Sequence, residues 1–246
     1  MRIVVIGGTG MIGSKVVAKL GERGHEAVPA SPNTGVDTLT GEGLEDVLAG
    51  TQVVIDVSNS PSFEDAAVRE FFETSTRNLL AAEAAAGVGH HVALSVVGAR
   101  RQPGKGYFGA KAAQEELIEK SSIPFSIVRA TQFFEFARGI ADGATEDGTV
   151  RIAPVWFQPI AGEEVATVVS RVAEGTPLNG GIDVAGPERV LMDDFFRDAL
   201  AAWNDPRQVV TDPEARYFGL HLDQDTLVPV EDTIRGEITY NGWLGE

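Results

Sequence analysis

Tyr107 and Lys111 stand four residues apart in Tyr107-Phe108-Gly109-Ala110-Lys111, a spacing that puts a phenol and an ammonium on one face of a helix. Ser95 lies twelve positions before Tyr107, near the end of an apolar segment that reads as the preceding strand. In an open α/β sheet, ligands bind beyond the carboxyl ends of the strands. The three side chains can therefore converge on one ligand. Tyr and Lys at this spacing also recur by chance on helices, and a strand-end serine can simply satisfy a backbone group.

A second constellation opens the chain. The apolar run Arg2-Ile3-Val4-Val5-Ile6 leads into Gly7-Gly8-Thr9-Gly10-Met11-Ile12-Gly13, followed by Ile12, Val16, Val17 and Leu20 at helical spacing. The glycines satisfy both G-x-G-x-x-G and G-x-x-G-x-x-G, which serve a tight turn, close phosphate approach and helix packing. A helix that starts straight after such a turn aims open N–H groups and a positive dipole end at whatever lies there. Gly7, Thr9, Gly10, Met11, Ile12 and Gly13 are thus expected to cradle the pyrophosphate of a dinucleotide.

The elements around these residues alternate. A short strand at 25–30 ends in the turn Ser31-Pro32-Asn33, where a ribose would be read, and a short helix at 44–48 precedes a third strand at 52–57. Ser60-Pro61 reads as a helix start, with a long helix over 66–86, a strand over 91–97, a helix over 107–121 and a strand over 125–129. This rhythm implies an α/β fold, a doubly wound, Rossmann-like parallel sheet with right-handed crossovers. Past residue 132 it loosens: a helix to 143, a β-like stretch at 149–157, a helix at 162–174, a strand at 182–184, a helix at 192–203 and a packed tail. The expected division is a dinucleotide-binding core over 1–135 and a smaller, mainly substrate-binding region over 136–246, with some segments returning to the core sheet. The acidic pairs Glu115-Glu116, Glu163-Glu164 and Asp193-Asp194 read as solvated faces or helix starts.

With 246 residues and a formal charge of -16, the chain lacks the clustered Lys and Arg that nucleic acid attracts. It has no cysteine, so disulfides and thiolate chemistry are excluded and a cytoplasmic location is the expectation. No apolar run approaches the roughly 20 residues of a membrane span. The start of the chain reads as a strand, not a signal peptide, and the four histidines show no metal-ligand spacing. The expected partner is a small-molecule substrate, with the chain a monomer or homodimer.

The glycine turn, the strand end Leu94-Ser95-Val96-Val97-Gly98 and the segment Val128-Arg129-Ala130-Thr131-Gln132-Phe133 resemble the short-chain dehydrogenase/reductase superfamily, most closely its atypical, NmrA-like branch. The resemblance covers residues 1 to about 175. It implies that Ser95, Tyr107 and Lys111 match a reductase site and that Lys111 also holds the nicotinamide ribose. In hydride addition to a carbonyl, charge develops on oxygen; Tyr107 would protonate it, Lys111 would lower the phenol pKa, and Ser95 would orient the oxygen. The expected activity is NAD(P)H-dependent hydride transfer to or from a small carbonyl, alcohol or quinone-like compound. The resemblance also admits a non-catalytic redox sensor, or an epimerase or dehydratase holding NAD tightly.

The turn at Ser31 and Asn33 carries neither the carboxylate that reads a free NAD ribose nor a basic residue, and Ser31, Asn33 and backbone N–H groups can hold a 2′-phosphate. NADP(H) is accordingly favoured over NAD(H), with Asp37 the competing feature. Asn59, past the third strand, is placed to approach the nicotinamide-side ribose, and Thr131, Gln132 and Phe133 to line the nicotinamide. Phe133-Phe134-x-Phe136 and Trp156-Phe157 suggest an apolar pocket, although aromatics at such spacings are more often core.

Overall fold

Ile3 to Ile6 are almost wholly buried, as a strand covered on both faces by helices requires. The computed structural model describes residues 1–102, 104, 106–230 and 233–245. In chain order the elements are β1 (Arg2–Ile6), α1 (Met11–Glu22), β2 (Glu26–Ala30), α2 (Leu44–Leu48), β3 (Val53–Asp56), α3 (Asp65–Ala86), β4 (His90–Val96), α4 (Gly106–Glu119), β5 (Phe125–Ala130), α5 (Ala137–Gly143), β6 (Thr145–Glu146), β7 (Thr149–Ile152), β8 (Trp156–Phe157), α6 (Gly162–Glu174), β9 (Gly180–Ala185), β10 (Val190–Leu191), α7 (Met192–Ala202), β11 (Gln208–Thr211), β12 (Thr233–Arg235) and α8 (Tyr240–Leu244).

The chain divides into two units, one of residues 1–130 and 162–182, the other of residues 131–161 and 183–246. The first holds the sheet in the order β9-β5-β4-β3-β1-β2, with β1 flanked in parallel register by β2 and β3. In the second, β12 pairs in parallel with the later half of β9, Thr233 opposite Asp183, and makes the sheet seven-stranded. This is the doubly wound α/β architecture the alternation implies. Residues 162–182, beyond position 136 in sequence, belong to the first unit.

In the first unit α1 packs on α6 and α3 on α4. Lys15 and Lys19 of α1 both pair with Glu163 at the start of α6, and Arg23 and His25 pair with Glu174 at its end. The second unit carries the small sheets β11-β7-β6 and β10-β8 and a core in which Phe157, Phe195 and Phe196 meet edge to face or tilted. Tyr240 stacks on Trp243 and touches Phe134, so the tail is packed; its residues 231, 232 and 246 lie outside the described residues.

Ser60-Pro61 does not start a helix. Asn59 accepts a bond from the Ser60 N–H and the Ser60 hydroxyl one from Ser62 N–H, local turns that delay α3 to Asp65. The β-like stretch at 149–157 is two short strands in different sheets, broken around Pro154.

Candidate active site

The glycine turn has room for backbone and nothing else. Gly7 has φ +76°, a Cβ on Gly8 would lie 2.6 Å from the Val5 carbonyl oxygen, and one on Gly13 would lie 2.1 Å from that of Gly7. Gly10 caps α1 without a side chain, and the first backbone bond of the helix runs from Ser14 N–H to the Gly10 oxygen. The N–H groups of Met11, Ile12 and Gly13 consequently have no acceptor among the described residues. Such a cradle, with bare backbone at a helix N-terminus, fits a dinucleotide pyrophosphate.

At the end of β2, Thr9 Oγ1 donates to Ser31 Oγ at 3.0 Å, tying the glycine turn to the ribose-reading turn. Ser31 caps a single helical turn over Pro32–Thr34, and Asn33 is exposed on it. Asp37, the competing feature, accepts the Leu39 N–H at 2.8 Å and so belongs to its own loop. Asn59 is exposed beyond β3.

The second constellation is closed. Ser95 Oγ donates to Glu115 Oε1 at 2.6 Å, and both side chains are buried. Glu115 also accepts Arg129 Nη2 at 2.8 Å and Arg100 Nε at 2.7 Å. Burial would raise the Glu115 pKa, but Arg129 first, then Ser95 and Arg100, hold it below the usual carboxylate range. In this arrangement the one hydroxyl proton of Ser95 is donated to Glu115. Nor is Glu115 a solvated helix face. Phe108, Lys111, Glu115 and Ile118 are all buried and recur at steps of three and four, the stripe of a core-facing helix, which is the sequence signal that marks Glu115 as interior.

Lys111 is 2% exposed. Its Nζ donates to the Leu94 carbonyl at 2.8 Å and to Gln114 Oε1, and it lies 4.3 Å from the centre of the Phe72 ring. Gln114 Nε2 in turn donates to Asp56 Oδ2 at 2.9 Å, while Asp56 Oδ1 accepts Ser58 Oγ. Asp56 and Gln114 thus belong to this network although neither stands out in the sequence. Burial brings the Lys111 pKa down to about 8 against the pull of Asp56 and Glu115.

Tyr107 packs against Phe63 and Phe72 with ring centres 5.8 Å away in each case. Burial pushes its phenol pKa up, and the Asp56 carboxylate pushes the same way. Both causes act on the phenol in the raising direction, and the Lys111 ammonium is turned to Leu94 and Gln114. A phenol in this state keeps its proton through the physiological range.

In the second unit, Thr131 and Gln132 are buried with an oxygen each lacking a partner among the described residues. Phe133 forms a bridge with Ile160 and stacks on Phe136. Phe134 and Phe157 are core, not pocket lining.

Residues 7–174 match the model of a family described as NAD(P)H-binding, and the chain belongs to that family. It is 28% identical over 205 residues to a (4-alkanoyl-5-oxo-2,5-dihydrofuran-3-yl)methyl phosphate reductase of Streptomyces griseus, covering 76% of this chain and 69% of the relative. Its fold is that of a short-chain dehydrogenase/reductase superfamily protein from Agrobacterium tumefaciens with bound NAD, at a TM-score of 0.74 and 18% identity over 99% and 94% of the two chains. RMD from Pseudomonas aeruginosa, complexed with NADPH, superposes with a TM-score of 0.71 at 16% identity, covering 99% of this chain and 96% of the other. The fold of these neighbours, one holding NAD and the other NADPH, is the one that the resemblance implies. Among the described residues no helix is long and apolar enough to cross a membrane.

Proposed function

We propose that the protein is an NADPH-dependent reductase of a small carbonyl or quinone-like compound. The observation that carries this reading is the glycine cradle of a chain in an NAD(P)H-binding family, together with the reductase relative. NADPH is favoured because Ser31 and Asn33 offer no carboxylate to repel a 2′-phosphate and Asp37 is engaged in its own loop. Bound nicotinamide would supply hydride. Tyr107 is the proton donor in this proposal. The raised pKa keeps the phenol protonated, the form that can give a proton to a developing alkoxide. Lys111 acts behind it, holding Leu94 and Gln114 in place, and not by lowering the phenol pKa.

Tyr107→Phe is expected to lower NADPH-dependent turnover by about 10²-fold or more while leaving NADPH affinity unchanged. Unchanged turnover on a true substrate would remove Tyr107 from the chemistry. A second reading, a dinucleotide-binding redox sensor, is favoured by the internal commitment of Ser95 and Lys111. It predicts NADPH binding without oxidation across a panel of carbonyls and quinones, in wild type and variant alike.

A further inference from the structure

The second unit contains a cavity of about 250 Å³ lined by Gln158, Pro187, Arg189, Pro229, Val230, Thr233 and Arg235. In a chain with a net charge of -16, the described residues of this lining hold two guanidinium groups and no carboxylate. The cavity lies along the edge strand β12, which pairs in parallel with β9: Thr233 opens β12 and Arg235 ends it, Pro229 and Val230 precede it, and Pro187 follows β9 by two residues.

The walls are built. Gln158 is buried, and its Nε2 donates to the Gly186 carbonyl at 2.8 Å. Gly186 permits this approach because a Cβ there would lie 1.8 Å from the Pro159 oxygen. Arg189 lies with its guanidinium carbon 5.0 Å from the Trp156 ring centre and donates to Asp225 at 2.6 Å, so its plane is held before any ligand arrives. Arg235 has no hydrogen-bonded or charged partner among the described residues. A cation without a partner among the described residues, beside a second one fixed in orientation, is a site for an anion with several acceptor oxygens.

We propose that this cavity binds the phosphate of a phosphate monoester, with Arg235 as its principal ligand and Arg189 as the oriented second. A monoester carries between one and two negative charges at neutral pH and three terminal acceptor oxygens, which two planar guanidinium forks match better than they match a carboxylate. The rest of the ester occupies the apolar side of the cavity, formed by Pro187, Pro229 and Val230. The assignment of that ester as the reductase's own substrate rests on the function proposed above; the anion site itself does not.

The test is calorimetric titration of inorganic phosphate, phenyl phosphate and acetate into protein saturated with NADPH, so that the glycine cradle is already filled. Wild type is expected to bind both phosphates and to take acetate more weakly. Arg235→Gln is expected to weaken phosphate binding about tenfold, Arg235→Lys less, and Arg189→Gln to weaken it as well. The melting temperature of Arg235→Gln should match wild type, because the exposed side chain has no partner among the described residues to lose. Phosphate binding unchanged in both Gln variants, acetate bound as tightly as phosphate, or a phosphate signal abolished by NADPH would each overturn the site. Phosphate bound through Arg235 with no carbonyl reduced would leave the site standing and sink the reductase reading. Reduction of unphosphorylated carbonyls that is indifferent to Arg235→Gln, with no phosphate bound, would do the reverse.

Discussion

Two polar regions of the first unit lie at the ends of neighbouring strands of the sheet, and they use their hydrogen-bonding groups in opposite ways. At the end of β1 the donors are backbone N–H groups with nothing to bond. At the ends of β3 and β4 the donors are side chains, and each is engaged: Ser95 with Glu115, Lys111 with Leu94 and Gln114, Gln114 with Asp56. The first arrangement waits for an anion; the second holds the fold around it. A serine, a lysine and an acid near a cofactor loop therefore do not amount to a catalytic set until their existing partners are counted.

The contrast can be broken at several points. The largest effect is expected in the closed region. Arg129→Leu removes the strongest partner of the fully buried Glu115 and should cost about 3 kcal/mol in chemical denaturation, with NADPH affinity little changed. A loss below about 0.5 kcal/mol would mean that Arg100 and Ser95 suffice for the carboxylate.

The open region should respond in binding. Gly13→Ala forces a Cβ into the Gly7 carbonyl oxygen, and a cofactor titration is expected to show affinity about 100-fold weaker, roughly 2.7 kcal/mol. An affinity within threefold of wild type would argue that the turn relaxes.

A third effect separates structure from chemistry at Lys111. Its pKa is depressed to about 8 in the folded state from an ordinary 10.5, so the unfolded chain holds one more proton between those values. Folding stability should therefore rise as the pH goes from 8 towards 10.5, and Lys111→Met should lack this slope. Equal slopes in the two proteins would place the titration elsewhere.

Much of this was legible before any coordinates. β1, the glycine turn and α1 could be read because a doubly buried strand is a continuous apolar run and because each glycine has its own steric reason. The helix from 162 to 174 was readable from periodicity alone, and its membership of the first unit was not, since periodicity says nothing of which sheet a helix covers. Tyr107 and Lys111 fell on the expected helix. Their partners did not follow, because Glu115 looked like half of a solvated acidic pair and Arg129 sits in an otherwise buried strand whose pairing spans fourteen residues of sequence. The anion cavity was out of reach for the same reason: Gln158, Arg189 and Arg235 are brought together by strand ends that are far apart in the chain.

The bridge from Lys15 and Lys19 to Glu163 has a kinetic side. These lysines stand on the helix that begins at the cradle, and Glu163 occupies both. With its near cations spent and a net charge of -16, the protein offers a dinucleotide's phosphates little long-range attraction. Capture then depends on encounters that reach the bare backbone donors directly, and dissolved salt, by screening the surrounding negative field, eases that approach instead of hindering it.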